Sequence, residues 1–424
     1  MFSIFMITLL IGVPIYAAIG TATLIPLLVY NDFSPTMIPQ TLFSGIDNFV
    51  LIAVALFIIS GAIMQASGMT DEILEVADAI VGHIPGGVGA TTIIASGFFA
   101  ALTGSGLAAT VAIGSITVGG MVQRGYEKAL AGAVAASGGA LGVLIPPSNP
   151  MIIYGVISGT SIGALFMAGL IPGILITASL TLVMYLIGKR KKLIATDKKF
   201  SLKRTINALW IGKWGLLAPV VILGSIYSGI ATPTEAAEFA VLYALIYGFG
   251  IKRNVTLNNF IMAFRTGALT ASIMLVMTGV ASGFGRLVTM YQVPQKVGYF
   301  IANITTNPEL VLLMLVGLLM ITGMFMETLS QIIILTPIFL PILTDLGINP
   351  VVFGIIFVLC IEIGFLTPPV GGNLFVAVKI ADASLMQISK AEIPFILVFL
   401  FWAVMFIFFP EIVLFFPDFI TSLR

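Results

Sequence analysis

The sequence predicts an all-α polytopic membrane protein with inverted repeats, each containing a re-entrant helical hairpin and a broken transmembrane helix. Hydrophobic residues make up 59% of its 424 residues and charged residues 9%, against roughly 25% charged in soluble proteins. This length accommodates about ten spans of about 20 residues. Paired prolines interrupt two apolar runs, in LIPPSNP at 144–150 and LTPPVGG at 366–372. Proline removes helical hydrogen bonds that a span needs in lipid, so both helices must break.

The distribution of charge orients the chain. No Lys or Arg precedes Arg124, whereas residues 189–204 contain eight of the nineteen basic residues. The positive-inside rule places this segment in the cytoplasm, where it divides the chain into two halves. Lys252 and Arg253 follow two further apolar spans, so they return to the same side. Residues 189–214 are therefore predicted to form a basic cytoplasmic linker.

The first half divides into scaffold helices at 1–67 and a first repeat at 68–188. DEILEVADAIVGH alternates acidic and apolar residues with helical spacing, which indicates an amphipathic helix along the interface. TGSG interrupts an apolar run whose flanks are each too short to span, so a re-entrant hairpin is expected. The predicted elements are spans near 3–29 and 49–67, the interfacial helix at 71–83, the hairpin at 88–122 with its tip at 103–106, the helix broken at LIPPSNP and a span near 165–187.

The second half repeats this order after two scaffold helices within 215–250. GVLIPPSNPMIIYG at 142–155 also aligns with GFLTPPVGGNLFVA at 364–377, matching Gly, Leu and both prolines. Counted from the cytoplasmic linker, the first hairpin enters from the cytoplasm and the second from the opposite side, so the repeats are inverted. The elements of the second repeat, 251–424, are a span near 266–288, an interfacial segment at 292–304, a hairpin at 310–343 with its tip near GMFMET, the helix broken at LTPPVGG and a last span near 394–416.

Inverted repeats with paired broken helices are typical of secondary transporters. At such breaks free carbonyls coordinate cations, and the N-terminal ends of half-helices face anions. The two breaks are therefore predicted to form a binding site. The alternative is that each Pro-Pro pair merely kinks a span. Two breaks at equivalent positions, each after a re-entrant segment, favour the site.

Motifs of catalysis and ATP binding are absent. The sequence contains no GxxxxGK[ST], GxGD or HExxH pattern, and its single histidine, His83, falls at the end of the interfacial helix. The chain is therefore not expected to be an enzyme. A channel is disfavoured because no segment shows a ring-forming filter pattern. Cys360, the single cysteine, lies in an apolar run and is expected to be a packed thiol.

Five charged residues are predicted to lie within the membrane, and such residues are functional candidates by default. For Glu235, a position at a helix N-terminus near the interface is favoured. Arg286, near a span end, is expected to snorkel or to pair with an acid. For Glu327, a structural salt bridge and a role beside a cation remain equally open. Glu362 precedes the second break and is expected to pair with a Lys or Arg. The five are Glu235, Glu238, Arg286, Glu327 and Glu362.

Several segments together resemble the large membrane subunit of tripartite ATP-independent periplasmic (TRAP) transporters, over nearly the whole chain. The segments are ALTGSGLAATVAIG at 101–114, GALGVLIPPSNPMIIYG at 139–155, TPTEAAEFA at 232–240, GMFMETLSQIIILTPIFLPI at 323–342 and GFLTPPVGGNLFVA at 364–377. The resemblance implies an elevator-type, ion-transporter-like fold that imports organic acids with sodium across the bacterial inner membrane. It also implies two partners, a small four-helix membrane subunit and a soluble periplasmic substrate-binding protein.

The substrate follows from the resemblance less closely. The sequence looks most similar to the sialic acid systems, while C4-dicarboxylate and other carboxylate carriers share its motifs. Sodium ions are implied as the transported co-substrate, with no organic cofactor and no nucleic acid. The competing interpretation is a stand-alone divalent-anion/sodium symporter, which shares the hairpin plan and would transport without partners.

The resemblance further implies two sodium sites, each between a hairpin tip and a break. Ser105 and Asn149 are the expected side-chain ligands of the first site, and oxygen ligands suit a hard cation. The alternative is that Asn149 only caps the half-helix that follows it. Carried onto this chain, the first sodium site consists of Thr103, Ser105, Gly142, Ile145, Pro147 and Asn149, the second of Gly323, Thr328, Gly364, Thr367 and Val370, and the substrate contacts of Gly104, Ser148, Asn149, Gly372 and Asn373.

Overall fold

The computed structural model describes residues 1–30, 34, 36–193, 195, 200–368 and 371–422. Throughout these ranges the regular secondary structure is helical, without strands. Six of the described helices are long and apolar enough to cross a membrane, or up to eight if each of two bent pairs is one span. The prediction of an all-α polytopic membrane protein is confirmed.

Twenty-one α-helices, numbered in chain order, make up the described fold. Those of the first half are α1 Phe2–Leu10, α2 Ile15–Tyr30, α3 Met37–Ile46, α4 Leu51–Ala66, α5 Met69–Val81, α6 Gly87–Thr103, α7 Gly106–Gln123, α8 Lys128–Ala140, α9 Asn149–Ser158 and α10 Ile162–Lys191. Those of the second half are α11 Leu202–Ile211, α12 Lys213–Tyr227, α13 Pro233–Leu245, α14 Leu257–Met290, α15 Val293–Ala302, α16 Pro308–Gly323, α17 Thr328–Asp345, α18 Pro350–Phe365, α19 Gly372–Ala381, α20 Leu385–Phe408 and α21 Glu411–Ser422. A 3-10 turn follows α8 at Leu141–Val143, and a π-helical turn extends α13 at Ile246–Ile251.

The N-terminal region differs from the single span expected at 3–29. Gly12 takes a positive φ of 84°, and Pro14 carries no N–H, so the helix ends and restarts as α2. The sequence analysis also missed α3, which packs with α4 against α14. A Cβ on Gly45 of α3 would overlap the Ser282 side chain of α14, so the two helices approach closely at this glycine.

The helix predicted at 71–83 is confirmed as α5, and its acidic face pairs with basic residues. Lys252 lies 2.5 Å from the Glu72 carboxylate. Arg204 contacts Asp78 at 2.5 Å and Glu75 at 3.1 Å. Arg204 belongs to α11, a helix within the range expected to be a linker, and α11 packs on α5. Arg204, at the end of the basic segment, is therefore held against α5 by ion pairs.

Both hairpins and both broken helices are present. The hairpins are formed by α6 with α7 and by α16 with α17, while α8 and α9, and α18 and α19, are the halves of the broken helices. The last span predicted at 394–416 is wrong in its bounds. Pro410 cannot continue a helix, so α20 ends at Phe408 and α21 begins at Glu411.

The two repeats pack on each other around the breaks. α8 packs on α19, and α9 packs on α17, so half-helices of one repeat contact the other. The unbroken helices α4 and α14 lie against this body, α4 on α6 and α14 on α17. Gly61 of α4 faces the first hairpin tip, where an added Cβ would lie 2.9 Å from the Thr103 Cα. This arrangement brings both hairpin tips to the centre of the fold.

Candidate ion and substrate site

The tip of the first hairpin is hydrogen-bonded to the first break. Gly104 ends α6 with a positive φ of 62°. Its carbonyl accepts from the Asn149 backbone N–H at 3.3 Å, and the Thr103 carbonyl accepts from the Asn149 side-chain amide at 3.4 Å. A Cβ on Gly104 would lie 3.0 Å from the Pro147 carbonyl oxygen, so this contact requires glycine. The structure thus brings together Thr103, Gly104, Pro147 and Asn149.

Serines begin the helices on both sides of this contact. The Ser105 hydroxyl accepts from the Ala108 N–H at 3.4 Å and caps α7. The Ser148 hydroxyl accepts from the Met151 N–H at 3.4 Å and caps α9. The alternative that Asn149 caps the half-helix is therefore wrong, because Ser148 fills that position and Asn149 is the first helical residue.

Asn149 keeps one oxygen without a partner. Its side chain is 2% exposed, and its Oδ1 accepts no hydrogen bond from any described residue. An unmet buried acceptor costs about 1–3 kcal/mol. A hard cation satisfies such an oxygen together with neighbouring carbonyls, and the Pro147 carbonyl is adjacent. These two oxygens are of the kind that a sodium ion takes, and the first sodium set as a whole stays a prediction.

The other residues of the first sodium set differ in what they offer. Gly142 lies in the 3-10 turn, where an added Cβ would be 3.1 Å from the Gly106 Cα, so it contributes close packing and a carbonyl. Ile145 directs its side chain toward Gly97 and Gly173. Its side chain is apolar, so only its carbonyl is available as a ligand.

Two glycines bring the second hairpin against the second broken helix. An added Cβ on Gly364 would lie 2.6 Å from the Gly323 Cα, and one on Gly323 would lie 2.9 Å from the Gly364 Cα. Thr367 donates its hydroxyl to the Ile363 carbonyl at 2.6 Å. Val370 lies outside the described residues. The second sodium set therefore stays a prediction.

Glu362 is the centre of a polar cluster at the second break. It is 2% exposed, accepts from the Thr328 hydroxyl at 2.8 Å and from the Asn373 amide at 3.2 Å. The prediction that Glu362 pairs with a Lys or Arg is wrong, since no described basic residue forms an ion pair with Glu362. Thr110 of the first hairpin donates to the Asn373 Oδ1 at 3.3 Å. The cluster therefore connects the two hairpins.

Glu327 begins α17 at the second hairpin tip. Its carboxylate accepts from the N–H groups of Leu329 and Ser330 at 3.1 and 3.2 Å. In the described chain no basic side chain pairs with it, so the salt-bridge interpretation is wrong. By contrast, Glu235 forms the expected N-terminal cap with Thr232 on α13.

A cavity of about 40 Å³, here called the site cavity, lies where both tips and both breaks meet. None of its lining residues in the described ranges is Lys or Arg. Three helices, α7, α9 and α17, begin at residues that line it, and the N-terminal end of a helix carries partial positive charge. These helix ends favour an anion, whereas the carboxyl groups of Glu327 and Glu362 in the same lining oppose one. Its polar and central lining residues are Gly104, Ser105, Asn149, Met274, Glu327, Thr328 and Glu362.

The residues assigned to the substrate fall into three groups. Gly104 and Asn149 line the site cavity. Ser148 and Asn373 are buried and hydrogen-bonded within the protein. Gly372 begins α19, where an added Cβ would overlap the Phe365 ring. These assignments stay predictions.

Sequence reasoning missed two polar residues beside the site. Thr110 lies in an apolar hairpin helix, and its bond to Asn373 depends on tertiary packing. Gln331 is fully buried, with its amide nitrogen donating to the Leu319 carbonyl at 3.4 Å and its Oε1 unmet by described residues. A lone Gln in the apolar run SQIIIL was the available signal.

Comparison with known proteins identifies the family. Residues 2–412 match the family described as "Tripartite ATP-independent periplasmic transporter, DctM component". The chain belongs to this family. It is a component of a membrane transporter and is not an enzyme. This permease is a multi-pass membrane protein, and the TRAP family works with a small membrane subunit and a periplasmic binding protein.

Relatives of the permease are named for different acids. The isethionate TRAP transporter permease protein DctMQ of Oleidesulfovibrio alaskensis is 42% identical over 400 residues, and the match spans 94% of this chain but 63% of that longer protein. The C4-dicarboxylate large permease DctM of Pseudomonas aeruginosa is 36% identical over 389 residues, 92% of this chain and 91% of that one. The sialic acid large permease SiaM of Vibrio cholerae is 36% identical over 383 residues, 90% of each.

A solved structure supports the fold. The crystal structure of the Alcanivorax borkumensis YdaH transporter superposes with a TM-score of 0.62, covering 88% of this chain and 87% of that one. The sequence identity is 19%, so the likeness concerns architecture.

Proposed function

We propose that the permease imports an organic acid across the bacterial inner membrane, driven by sodium ions that enter with it. A periplasmic binding protein delivers the acid, and a small four-helix subunit packs on the unbroken helices. The hairpins and broken helices then carry the acid across by an elevator motion. The function rests on family membership and on the geometry between the hairpin tips.

The observation that carries sodium coupling is the unmet Oδ1 of Asn149. It is buried beside the Pro147 carbonyl, at the contact between a hairpin tip and a break. Hydrocarbon offers no water to satisfy this oxygen. A sodium ion satisfies it and adds positive charge beside the site cavity. Binding of sodium thereby prepares the site for an acid.

The substrate class follows from charge. Three helix N-termini border the site cavity, and a sodium ion at the first break would add positive charge to offset the glutamates in the lining, which together favour a carboxylate or sulfonate. Isethionate, C4-dicarboxylates and sialic acid, named for the relatives, all carry such a group. Sialic acid remains the acid favoured by the motifs, and the three are the candidates to test.

The partners are proposed from the same relatives. DctMQ of O. alaskensis extends beyond the part that this chain matches, and we infer that its additional segment is the counterpart of the small subunit. In this protein the small subunit would cover apolar side chains that α12, α13 and α14 expose, among them Val220, Leu242 and Leu269.

Reconstitution tests the function directly. The permease is placed in proteoliposomes with the small subunit, and uptake of labelled isethionate, succinate or N-acetylneuraminate from the loaded binding protein is measured. We expect uptake with an inward sodium gradient and none when potassium replaces sodium. If two sodium ions accompany a monovalent acid, an inside-negative potential adds about 2.3 kcal/mol per 100 mV, so the potential accelerates uptake.

The controls separate the alternatives. Equal uptake in sodium-free buffer would contradict sodium coupling. Sodium-driven uptake by the permease alone, without small subunit or binding protein, would instead support the stand-alone symporter.

A further inference from the structure

A larger cavity, here called the outer cavity, lies between α3, α9, α14 and α17. It measures about 400 Å³. Two of its walls, α3 and α14, come from unbroken helices, and the other two come from the second half of a broken helix and from a hairpin. It therefore lies between two unbroken helices and the proposed moving elements. Its polar lining residues are Ser44, Asn48, Thr278, Ser282, Arg286 and Thr289.

The outer cavity lies beyond the site cavity along three shared helices. Three helices line both cavities. Along each helix, counted from its N-terminal end, the residues that line the site cavity precede those that line the outer cavity. The pairs are Met274 then Thr278 on α14, Leu329 then Ile333 on α17, and Pro150 then Val156 on α9. On α14 and α17 the two residues are one helical turn apart, about 6 Å.

The outer cavity faces away from the cytoplasm. α14 begins at Leu257, shortly after the cytoplasmic Lys252 and Arg253, and ends at Met290. The outer cavity is lined by the part of α14 from Thr278 to Thr289, nearer its far end. An acid arriving from the periplasm therefore meets this cavity before the site cavity.

Arg286 is the one charged side chain that lines the outer cavity among the described residues. It is exposed, and it forms neither an ion pair nor a hydrogen bond with the rest of the described chain, so the expected acid partner is absent there. A guanidinium presents five donors in a planar fork that matches a carboxylate or sulfonate.

The other polar groups of the outer cavity leave few competing donors. The hydroxyls of Thr278, Ser282 and Thr289 donate to carbonyls one turn back on α14, at 2.8–3.0 Å. Asn48 accepts through its Oδ1 from the Val50 N–H at 2.9 Å, which leaves its amide N–H groups for another partner. Arg286 and Asn48 are therefore the donors that an anion would meet.

We propose that the outer cavity is a receiving site for the anionic group of the substrate, held by Arg286 and Asn48 before the acid moves to the site cavity. This inference rests on the proposed function and adds a second binding station to it.

Charge variants of one helix test the proposal. Uptake kinetics are compared for wild type, Arg286→Gln, Arg286→Lys and Arg265→Gln, with the acid that the reconstitution identifies. Arg265 is the matched control, since it is exposed on the cytoplasmic half of α14 and does not line the outer cavity. We expect Arg286→Gln to raise KM about tenfold with little change in kcat, because one charge-assisted pair is lost. The KM of Arg286→Lys should lie between those of wild type and Arg286→Gln, and the KM of Arg265→Gln should match that of wild type.

A cysteine at position 286 tests whether the loss of affinity arises from the missing positive charge at this site. Arg286→Cys is combined with Cys360→Ala, and a membrane-impermeant cationic methanethiosulfonate is added from outside. We expect rapid modification that restores part of the lost affinity, whereas an anionic methanethiosulfonate should restore none. The free acid should slow the modification, while acid-free binding protein should not.

The outcomes distinguish the two proposals. No sodium-driven uptake by wild type would contradict the proposed function itself. Normal wild-type uptake together with an unchanged KM in Arg286→Gln would overturn the receiving site alone, and so would an Arg286→Cys thiol that the external reagent does not modify. The receiving site would also be overturned if acid-free binding protein, but not the free acid, slowed modification of the Arg286→Cys thiol. This surface would then be a docking surface for the binding protein.

Discussion

The two hairpin–break units share one backbone plan and differ in their polar side chains. In the first unit the polar side chains are neutral. Ser105 and Ser148 cap the helices, and Asn149 supplies the oxygen that has no hydrogen-bond partner among the described residues. In the second unit Glu327 caps α17, and Glu362 lies buried behind the tip. A monovalent cation in the first unit leaves a net positive charge, whereas the second unit places two Glu side chains beside its cation. The first unit is therefore the better place to meet a substrate anion.

The largest effect is expected where the first unit depends on backbone geometry. Gly104→Ala forces a side chain into a left-handed conformation, at about 1–2 kcal/mol, and against the Pro147 carbonyl. The hairpin tip must then move from the break, so sodium-driven uptake should fall at least about tenfold. Initial uptake rates in proteoliposomes measure this. Gly119→Ala on α7 is the control, because nothing lies within 4 Å of its added Cβ. Wild-type uptake by Gly104→Ala would contradict the contact.

The next effect tests whether the second unit depends on charge. Glu362→Gln keeps hydrogen-bonding capacity toward Thr328 but removes the negative charge. We expect the sodium concentration for half-maximal uptake to rise about tenfold, equivalent to about 1.4 kcal/mol. The exposed Glu411→Gln on α21 provides a charge-matched control. If sodium dependence is the same in all three proteins, the carboxylate does not act on the cation.

The smallest effect separates ligand from cap inside the first unit. Asn149→Ala removes the unmet oxygen and should raise the sodium requirement about threefold, or about 0.6 kcal/mol, beyond any loss of stability from the amide bond to the Thr103 carbonyl. Ser148→Ala removes the cap and should cost about 1 kcal/mol of stability with or without sodium. Thermal melts and uptake at varied sodium measure both variants. The assignment fails if Asn149→Ala melts lower in sodium-free buffer and keeps its sodium dependence.

Elements with strong local signals were predictable from the sequence. Paired prolines marked both breaks, and TGSG marked the first hairpin tip, because these residues disrupt helices by their own chemistry. The amphipathic helix α5 followed from its period. The division of the first span at Gly12 and the short helix α3 were missed, since apolar composition alone does not reveal where a helix ends.

The site was predictable as a place but not as a set of contacts. The motifs located Thr103, Gly104 and Asn149 at the first contact, which the structure brings together. Whether Asn149 or Ser148 caps α9 depends on the backbone between Leu144 and Ser148, which no residue pattern specifies. The partners of Glu362 come from two other helices, so they depend on tertiary packing. Arg286 was recognised as a charge in the membrane, and its place on a cavity wall required the fold.

The chain of bonds from Thr328 through Glu362 and Asn373 to Thr110 has a mechanical consequence. It joins the tip of one hairpin to the shaft of the other by contacts of 2.8, 3.2 and 3.3 Å. If the second hairpin moved outward alone, the buried Glu362 carboxylate would lose its hydrogen bond from Thr328. A hydrogen bond to a charged group contributes about 1.5–3 kcal/mol. Sliding both hairpins together breaks none of these bonds. For the proposed transport cycle, these hydrogen bonds favour a motion in which both hairpins move together over one in which the second hairpin opens alone.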